Sequence, residues 1–245
     1  MLSLKKHPFA VKAFFDKSVV LTYAFPKEKL QHLIPDCLEL DTFQDKYAFI
    51  AIALVQTKNL RPKGFPKFMG NNFILIGYRI FVRYHNLKGK RLRGLYILKS
   101  ETDQKKMEFF GNIFTHYNYK TTDISIQNWQ KQILVNSKKS NLNIELIQNG
   151  TQSKLPDHSP FSDWKEARRF AGPMPFTFTF NETMNEVLII EGVRSNWNPQ
   201  PLEIVSESVS FFEEQNLPDA ILANAFLVEK IPYEWKKGKT EKWKK

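Results

Sequence analysis

SVVLTYAFPKEKLQHLIPDCLELDTFQDKYAFIAIALVQT, residues 18–57, brackets a short helix between two apolar strands. SVVLTYA (Ser18 to Ala24) is rich in β-branched and aromatic residues and reads as a strand. Phe25-Pro26 then opens a helix over KEKLQHLI, because proline suits the first helical turn, and Pro35 stops it. Leu30, Leu33 and Ile34 fall at i, i+3 and i+4 and form one buried stripe. KYAFIAIALVQT (Lys46 to Thr57) is apolar at both parities, so this strand is covered on both faces.

Outward from that core, RPKGFPKFMGNN (Arg61 to Asn72) is a loop by its Pro, Gly and Asn content. FILIGYRIFVRYH follows as a long strand, with Arg79, Phe81 and Arg83 on one face and Tyr78, Ile80, Val82 and Tyr84 on the other. A basic connection, Asn86 to Arg93, leads to GLYILKSE, which pairs back as a hairpin. Residues 112–156 are polar with short strand-like pieces (ISIQ, ILVNS, NIELIQ), and Asn149-Gly150 is a turn signal. SPFSDWKEARRFAGP is a helix capped by Ser162 or Asp163 and ended by Gly172-Pro173. PFTFTF, EVLIIEGVRS and LEIVSESVSFF are further strands, and PDAILANAFLVEKIPYEW is a strand or short helix followed by a strand. The expected fold is one β-rich α+β domain over residues 1–229, its antiparallel sheet curved or closed because closure removes exposed edges. A basic, partly disordered tail is expected over residues 230–245.

The chain has 245 residues, of which 42% are hydrophobic and 21 are Phe, too apolar for a disordered chain. A lone cysteine, Cys37, precludes an internal disulfide, and no apolar run reads as a signal peptide or membrane span. A soluble cytoplasmic protein is expected, with a homo-oligomer left open. The net charge of +11 invites a nucleic-acid partner, but residues 230–245 hold seven lysines against two glutamates, so +5 of it sits in the tail. Nucleic acid is therefore not the expected partner. Five histidines show no HxH or HxxxH spacing and there is no CxxC, so neither a metal nor a cofactor is expected. Nucleotide and hydrolase fingerprints are absent, and Asp157-His158-Ser159 cannot converge as a triad because the residues are consecutive.

What remains is lysine and arginine chemistry. Lys105-Lys106 is one of five Lys-Lys pairs in the chain. A lysine amine attacks a ketone only when unprotonated, which a neighbouring cation or an apolar pocket favours. Two solvated neighbours are the plainer reading. If residues 104–114 are helical, Met107, Phe110 and Phe114 form the apolar stripe, Lys106 flanks it and Lys105 points away. Arg79 and Arg83 are carboxylate partners if their strand face points inward, and solvated charges if it points outward. Lys99 and Glu101 share a face by strand parity, as a cavity-lining pair or an exposed one.

The order of these motifs resembles the family known as domain of unknown function 2071 (DUF2071). The resemblance rests on Pro26, Leu30, Leu33 and Pro35, on Leu38-Glu39-Leu40-Asp41, on the RPKGFP loop from Arg61, and on YRIFVR from Tyr78. FAGPMPFTFTFNETMNEVLIIEGVRSNWNPQPLEI is also similar to relatives of this group. The family is grouped with acetoacetate decarboxylase-like proteins, which LIPDCLELD, DQKKM and AILANAFL also resemble. The resemblance implies a cone-shaped, mostly antiparallel barrel around a small-molecule cavity, with Lys105 at the Schiff-base position and Lys106 as its pKa-lowering neighbour. Two positions depart from the decarboxylase: Asp103-Gln104 stands where it carries Tyr-Pro, and Leu75 where it carries a glutamate. The expected function is binding a small carboxylate or keto compound in the barrel. The alternatives are a cofactor-independent Schiff-base lyase and a basic nucleic-acid-associated protein.

Overall fold

The computed structural model describes residues 4–149, 154–172 and 174–243. Its main sheet begins with β1 (Val11–Pro26) and β3 (Tyr47–Pro62), which pair antiparallel over almost their whole length. The chain between them is α1 (Lys27–Leu30), a 3-10 turn (Gln31–Leu33) and the two-residue β2 (Glu39–Leu40). Leu30 is buried and Pro26 is the residue before the helix, as the stripe and the proline require. β3 is buried on both faces from Ala48 to Val55, which its two-parity apolar pattern predicts.

β4 (Asn71–His85) pairs with β3, and β5 (Arg91–Thr102) folds back on β4 across the turn at Asn86–Lys90. Beyond it lie α2 (Lys105–Phe114), β6 (Tyr119–Thr121), β7 (Ser125–Trp129), β8 (Gln132–Ser137) and β9 (Leu142–Ile147). α3 (Trp164–Phe170) starts at an Asp163 cap: Glu166 N donates to Asp163 Oδ1 at 2.7 Å, and Ser162 N donates to Glu166 Oε2 at 2.8 Å. The remaining elements are β10 (Phe176–Asn181), β11 (Glu186–Arg194), β12 (Gln200–Pro201), β13 (Glu203–Val209), α4 (Ser210–Glu214), β14 (Ile221–Trp235) and β15 (Lys239–Lys242).

Pairing runs in the order β14, β1, β3, β4, β5, β10, β11 and returns from β11 to β14, so the sheet closes on itself. Only the β5–β10 step within that ring is parallel. The closure is an α+β, β-rich, mostly antiparallel ring with a few short helices. A second sheet, β13-β9-β8-β7, packs on the outside of the ring. The largest core fills that gap: Tyr23, Ile50, Tyr78 and Ile80 from the ring meet Val135, Ile144 and Leu146 from the second sheet. Phe211 of α4 stacks on Tyr78 at 4.2 Å between ring centroids, and Phe212 meets Tyr23 edge-on at 4.6 Å.

The C-terminal stretch departs from expectation. The boundary placed at residue 230 falls inside β14, and β15 continues the sheet to Lys242. Two of its lysines have partners: Lys236 bonds Glu191 at 2.9 Å and Lys242 reaches Glu186 at 3.3 Å. Composition misled here because strand parity alternates Lys230, Pro232 and Glu234 with Ile231, Tyr233 and Trp235, which face inward. LEIVSESVSFF likewise divides, with its final Ser210-Phe211-Phe212 in helix. Gly150, Pro173, Lys244 and Lys245, on which parts of the turn, helix-end and tail expectations rest, lie outside the described residues.

Candidate functional site

Inside the ring is a cavity of about 130 Å³, walled largely by apolar side chains such as Ala51, Val55, Phe73, Phe81 and Ile97. Two guanidinium groups enter it, Arg79 from β4 and Arg194 from the end of β11. No carboxylate lines it among the described residues. Arg79 is partly buried, and its Nε is fully so, with no hydrogen-bond partner among the described residues. Arg194 donates Nη2 to the Met174 carbonyl at 2.7 Å and lies over the rings of Trp197 and Tyr233 at 5.0 and 5.5 Å. Burial pushes both arginines below their ordinary pKa, and in Arg79 the Arg194 charge adds to that effect. A guanidinium nevertheless stays protonated at any pH a protein experiences, so the cavity holds two positive charges with no anion of its own.

The wall is shaped for these groups. A Cβ on Gly77 would stand 2.8 Å from Arg79 Nε, so only glycine lets the arginine fold back along its own strand. A Cβ on Gly192 would meet the Tyr233 hydroxyl at 1.9 Å. Tyr119 reaches the cavity because α2 grips β6: Asn112 Nδ2 donates to the Tyr119 carbonyl at 2.9 Å, and Tyr119 N donates to Asn112 Oδ1 at 2.8 Å. Glu108 adds a second clamp by accepting from Thr121 N and Oγ1, which holds its carboxyl below the ordinary range. Burial pushes the Tyr119 phenol up to about 12, although the Arg79 charge pulls it down. The Tyr117 phenol beside it is raised further, again by burial first. Both stay neutral donors at pH 7. Thr57 Oγ1, Tyr117 Oη and Trp197 Nε1 are three further buried polar atoms on this wall without a partner among the described residues.

Of the residues singled out from the sequence, Arg79 alone lines this cavity. Arg83 shares its face but lies further along, beyond Phe81, where its Nε donates to Asp41 Oδ1. Asp41 is fully buried and also accepts from Arg93 Nε, so Arg83 belongs to a closed Arg83–Asp41–Arg93 triplet. Lys99 and Glu101 form a pair at 3.2 Å, but on the outer face of the ring. The reason is a bulge: Tyr78 pairs with Lys99 and Arg79 with Ile97, which leaves Leu98 as an extra residue. Leu95, Ile97 and Ser100 line the cavity. Without the bulge, Lys99 and Glu101 would keep the parity of Leu95 and Ile97 and point inward. Glu101 instead accepts from Tyr78 and Ser140 at 3.2 and 2.9 Å, and Lys99 also reaches Glu214 at 3.4 Å, tying the second sheet to the ring.

Lys105 and Lys106 open α2 and are exposed. Neither lines the arginine cavity, which their neighbour Met107 reaches instead. Lys106 borders a second, outer cavity of about 380 Å³ between α2 and the chain around His7. Arg194 was missed by the sequence reading, as were the tyrosines. The available signal was parity within EVLIIEGVR, together with Gly192 two residues before an arginine, the same spacing as Gly77 and Arg79. No group of three or more His, Cys, Asp or Glu capable of holding a metal occurs among the described residues. No helix there is long and apolar enough to cross a membrane.

The model of the family DUF2071, described as an uncharacterized conserved protein, matches residues 13–234. No curated protein matches by sequence. Among solved structures, the chain resembles an acetoacetate decarboxylase-like enzyme from Sphingomonas wittichii RW1 with a TM-score of 0.62 and 10% identity, covering 98% of this chain and 95% of that one. It also resembles the acetoacetate decarboxylase of Legionella pneumophila, with a TM-score of 0.59, 12% identity and coverage of 94% and 87%. The enduracididine biosynthesis enzyme MppR, complexed with pyruvate, matches with a TM-score of 0.59, 8% identity and coverage of 95% and 90%. At these identities the likeness is one of fold, and the ring described above is acetoacetate decarboxylase-like.

Proposed function

The chain belongs to the DUF2071 family, and on that premise we propose that it binds a small carboxylate-bearing molecule inside the ring, with Arg79 as the anchor. The observation that carries this is the Arg79 guanidinium, which has a buried, unpartnered Nε and no acid on the cavity wall. Burying an uncompensated charge costs several kcal/mol, roughly, and the fold has placed Gly77 so as to keep it there. A bound carboxylate supplies the missing charge and accepts a forked pair of hydrogen bonds. Arg194, Tyr117 and Tyr119 add positive potential and neutral donors around it. MppR, an enzyme of the same fold, was solved complexed with pyruvate, which is consistent with a keto acid as one form of the ligand.

Schiff-base chemistry at Lys105 draws less support, since a lysine that condenses with a ketone has to meet it in the cavity and both amines are exposed. A nucleic-acid partner draws less again, because Lys236 and Lys242 are already paired with glutamates.

Titration calorimetry with acetate, propionate and pyruvate, against acetamide and propionamide, tests the reading. The acids bind and the amides do not. Arg79→Met weakens the acids at least about thirtyfold, the usual cost of removing one partner of a buried charge pair. Equal binding to Arg79→Met would overturn it. Borohydride reduction with acetoacetate leaves no mass adduct on Lys105 or Lys106; an adduct there would move the reading to a lyase.

A further inference from the structure

The inner cavity is too small for most of what its charge attracts. At about 130 Å³ it has the volume of about four waters, which a carboxylate and its first carbons fill. The outer cavity, at about 380 Å³, lies within the ~300–1,000 Å³ range of ligand pockets. The two share a wall made of Leu60, Met107, Tyr117, Tyr119 and Trp235. Arg79 stands against that wall, close enough for its charge to act on both the Tyr117 and Tyr119 phenols. Met107 is its most adaptable member, an unbranched side chain with three rotatable bonds.

Beyond the wall the chemistry changes. Phe9, Val11, Phe110 and Phe114 line the outer chamber, and no acid does among the described residues. Phe9 and Phe110 keep 36% and 42% of their surface exposed, a cost that an apolar occupant would relieve. Arg61, held by the carbonyls of Phe65 and Asn59, and Lys106 are the cations at the rim. His7, 94% buried, presents an Nδ1 with no partner among the described residues, and burial keeps its imidazole neutral at pH 7.

We propose that the two chambers form one site for a monocarboxylic acid with an extended apolar tail. The head sits on Arg79 and the tail passes Met107 into the outer chamber. This rests on the carboxylate reading above and narrows it from small acids to amphipathic ones.

The experiment is titration calorimetry with the straight-chain acids from acetate to decanoate, each below its micelle concentration, on the full chain and on Phe110→Glu and Arg79→Met. Affinity rises about fourfold per methylene beyond butyrate, as burial of each CH₂ predicts. Phe110→Glu sets a carboxylate in the tail's path and flattens that slope. Phe110 keeps 42% of its surface exposed, and an unchanged urea midpoint checks that the variant is folded. Acids that bind in an Arg79-dependent way with no rise along the series would overturn the two-chamber site and leave the carboxylate reading standing. Binding that survives Arg79→Met at every length would overturn the carboxylate reading itself.

Discussion

Arg83 and Arg79 lie four residues apart on one face of one strand, yet the protein treats them in opposite ways. Arg83 meets a fully buried carboxylate, Asp41, which Arg93 approaches from the neighbouring strand. Arg93 also donates Nη2 to the Phe170 carbonyl at 2.6 Å and lies over the Phe170 ring at 4.7 Å. Every group in that cluster is answered. Arg79 and Arg194 occupy the same ring with no acid between them, and Arg79 keeps an unanswered Nε. Residue type is therefore no guide to role here. The triplet fastens β2 and α3 to the end of the ring, and the open pair is the feature on which the proposed carboxylate binding rests.

The largest effect belongs to the answered cluster. Asp41→Asn keeps the shape, removes the charge and strands two guanidiniums. Because Arg83 and Arg93 keep 22% and 34% of their side-chain surface in water, the expected loss is about 3 kcal/mol, the lower end for a broken buried pair. Urea denaturation reads it as a lower midpoint with unchanged slope. A loss under about 1 kcal/mol would erase the contrast.

Arg79→Met should move stability the other way. Replacing an unpartnered buried charge with an apolar chain of similar length is expected to stabilise by about 1–2 kcal/mol while abolishing carboxylate binding. A destabilised variant in the same urea experiment would mean that Arg79 has an internal partner after all. Gly77→Ala sharpens the point without touching the charge. Its new methyl meets the flexible end of Arg79, so folding stability should change by less than about 1 kcal/mol. The guanidinium must swing away, and acid affinity should fall about tenfold, or about 1.4 kcal/mol, by calorimetry.

The ring itself was legible because its strands carry their pattern locally. Lys46 to Thr57, apolar at both parities, reads as a doubly covered strand, and Ser162 or Asp163 marks a helix start that the structure puts at Asp163. The candidate site was legible only in part. Parity placed Arg79 and Phe81 together correctly, yet nothing local distinguishes an inward face that meets a cavity from one that meets Asp41, forty-two residues earlier. Lys99 and Glu101, left open between lining the cavity and lying outside it, are turned outward by one inserted residue, Leu98, whose bulge has no turn residue to announce it. Arg194 joins Arg79 only through ring closure, where Arg194 pairs with Tyr233 in a contact between distant strands.

His7 approaches the contrast from a third side and with the smallest effect, because an imidazole, unlike a guanidinium, can shed its charge. Burial lowers its pKa from the ordinary value near 6.5, outweighing its backbone hydrogen bonds, which act in the opposite sense. In the window between the lowered folded value and about 6.5 the unfolded chain binds more protons than the folded one, so stability falls as pH falls. The contribution is fully present above about pH 6.5 and declines below it by at most about 1.4 kcal/mol per pH unit for one proton. His116, lowered by burial and by Lys5, acts with the same sign. Glu207, raised by burial, acts with the opposite sign, so the wild-type curve alone is ambiguous. Subtracting the curve of His7→Gln isolates the residue: the advantage of wild type over the variant should shrink from pH 7 to pH 5. An advantage that grows in acid would mean the imidazole is protonated and answered in the folded state, and the rule separating answered from unanswered groups would have to be redrawn at the outer chamber.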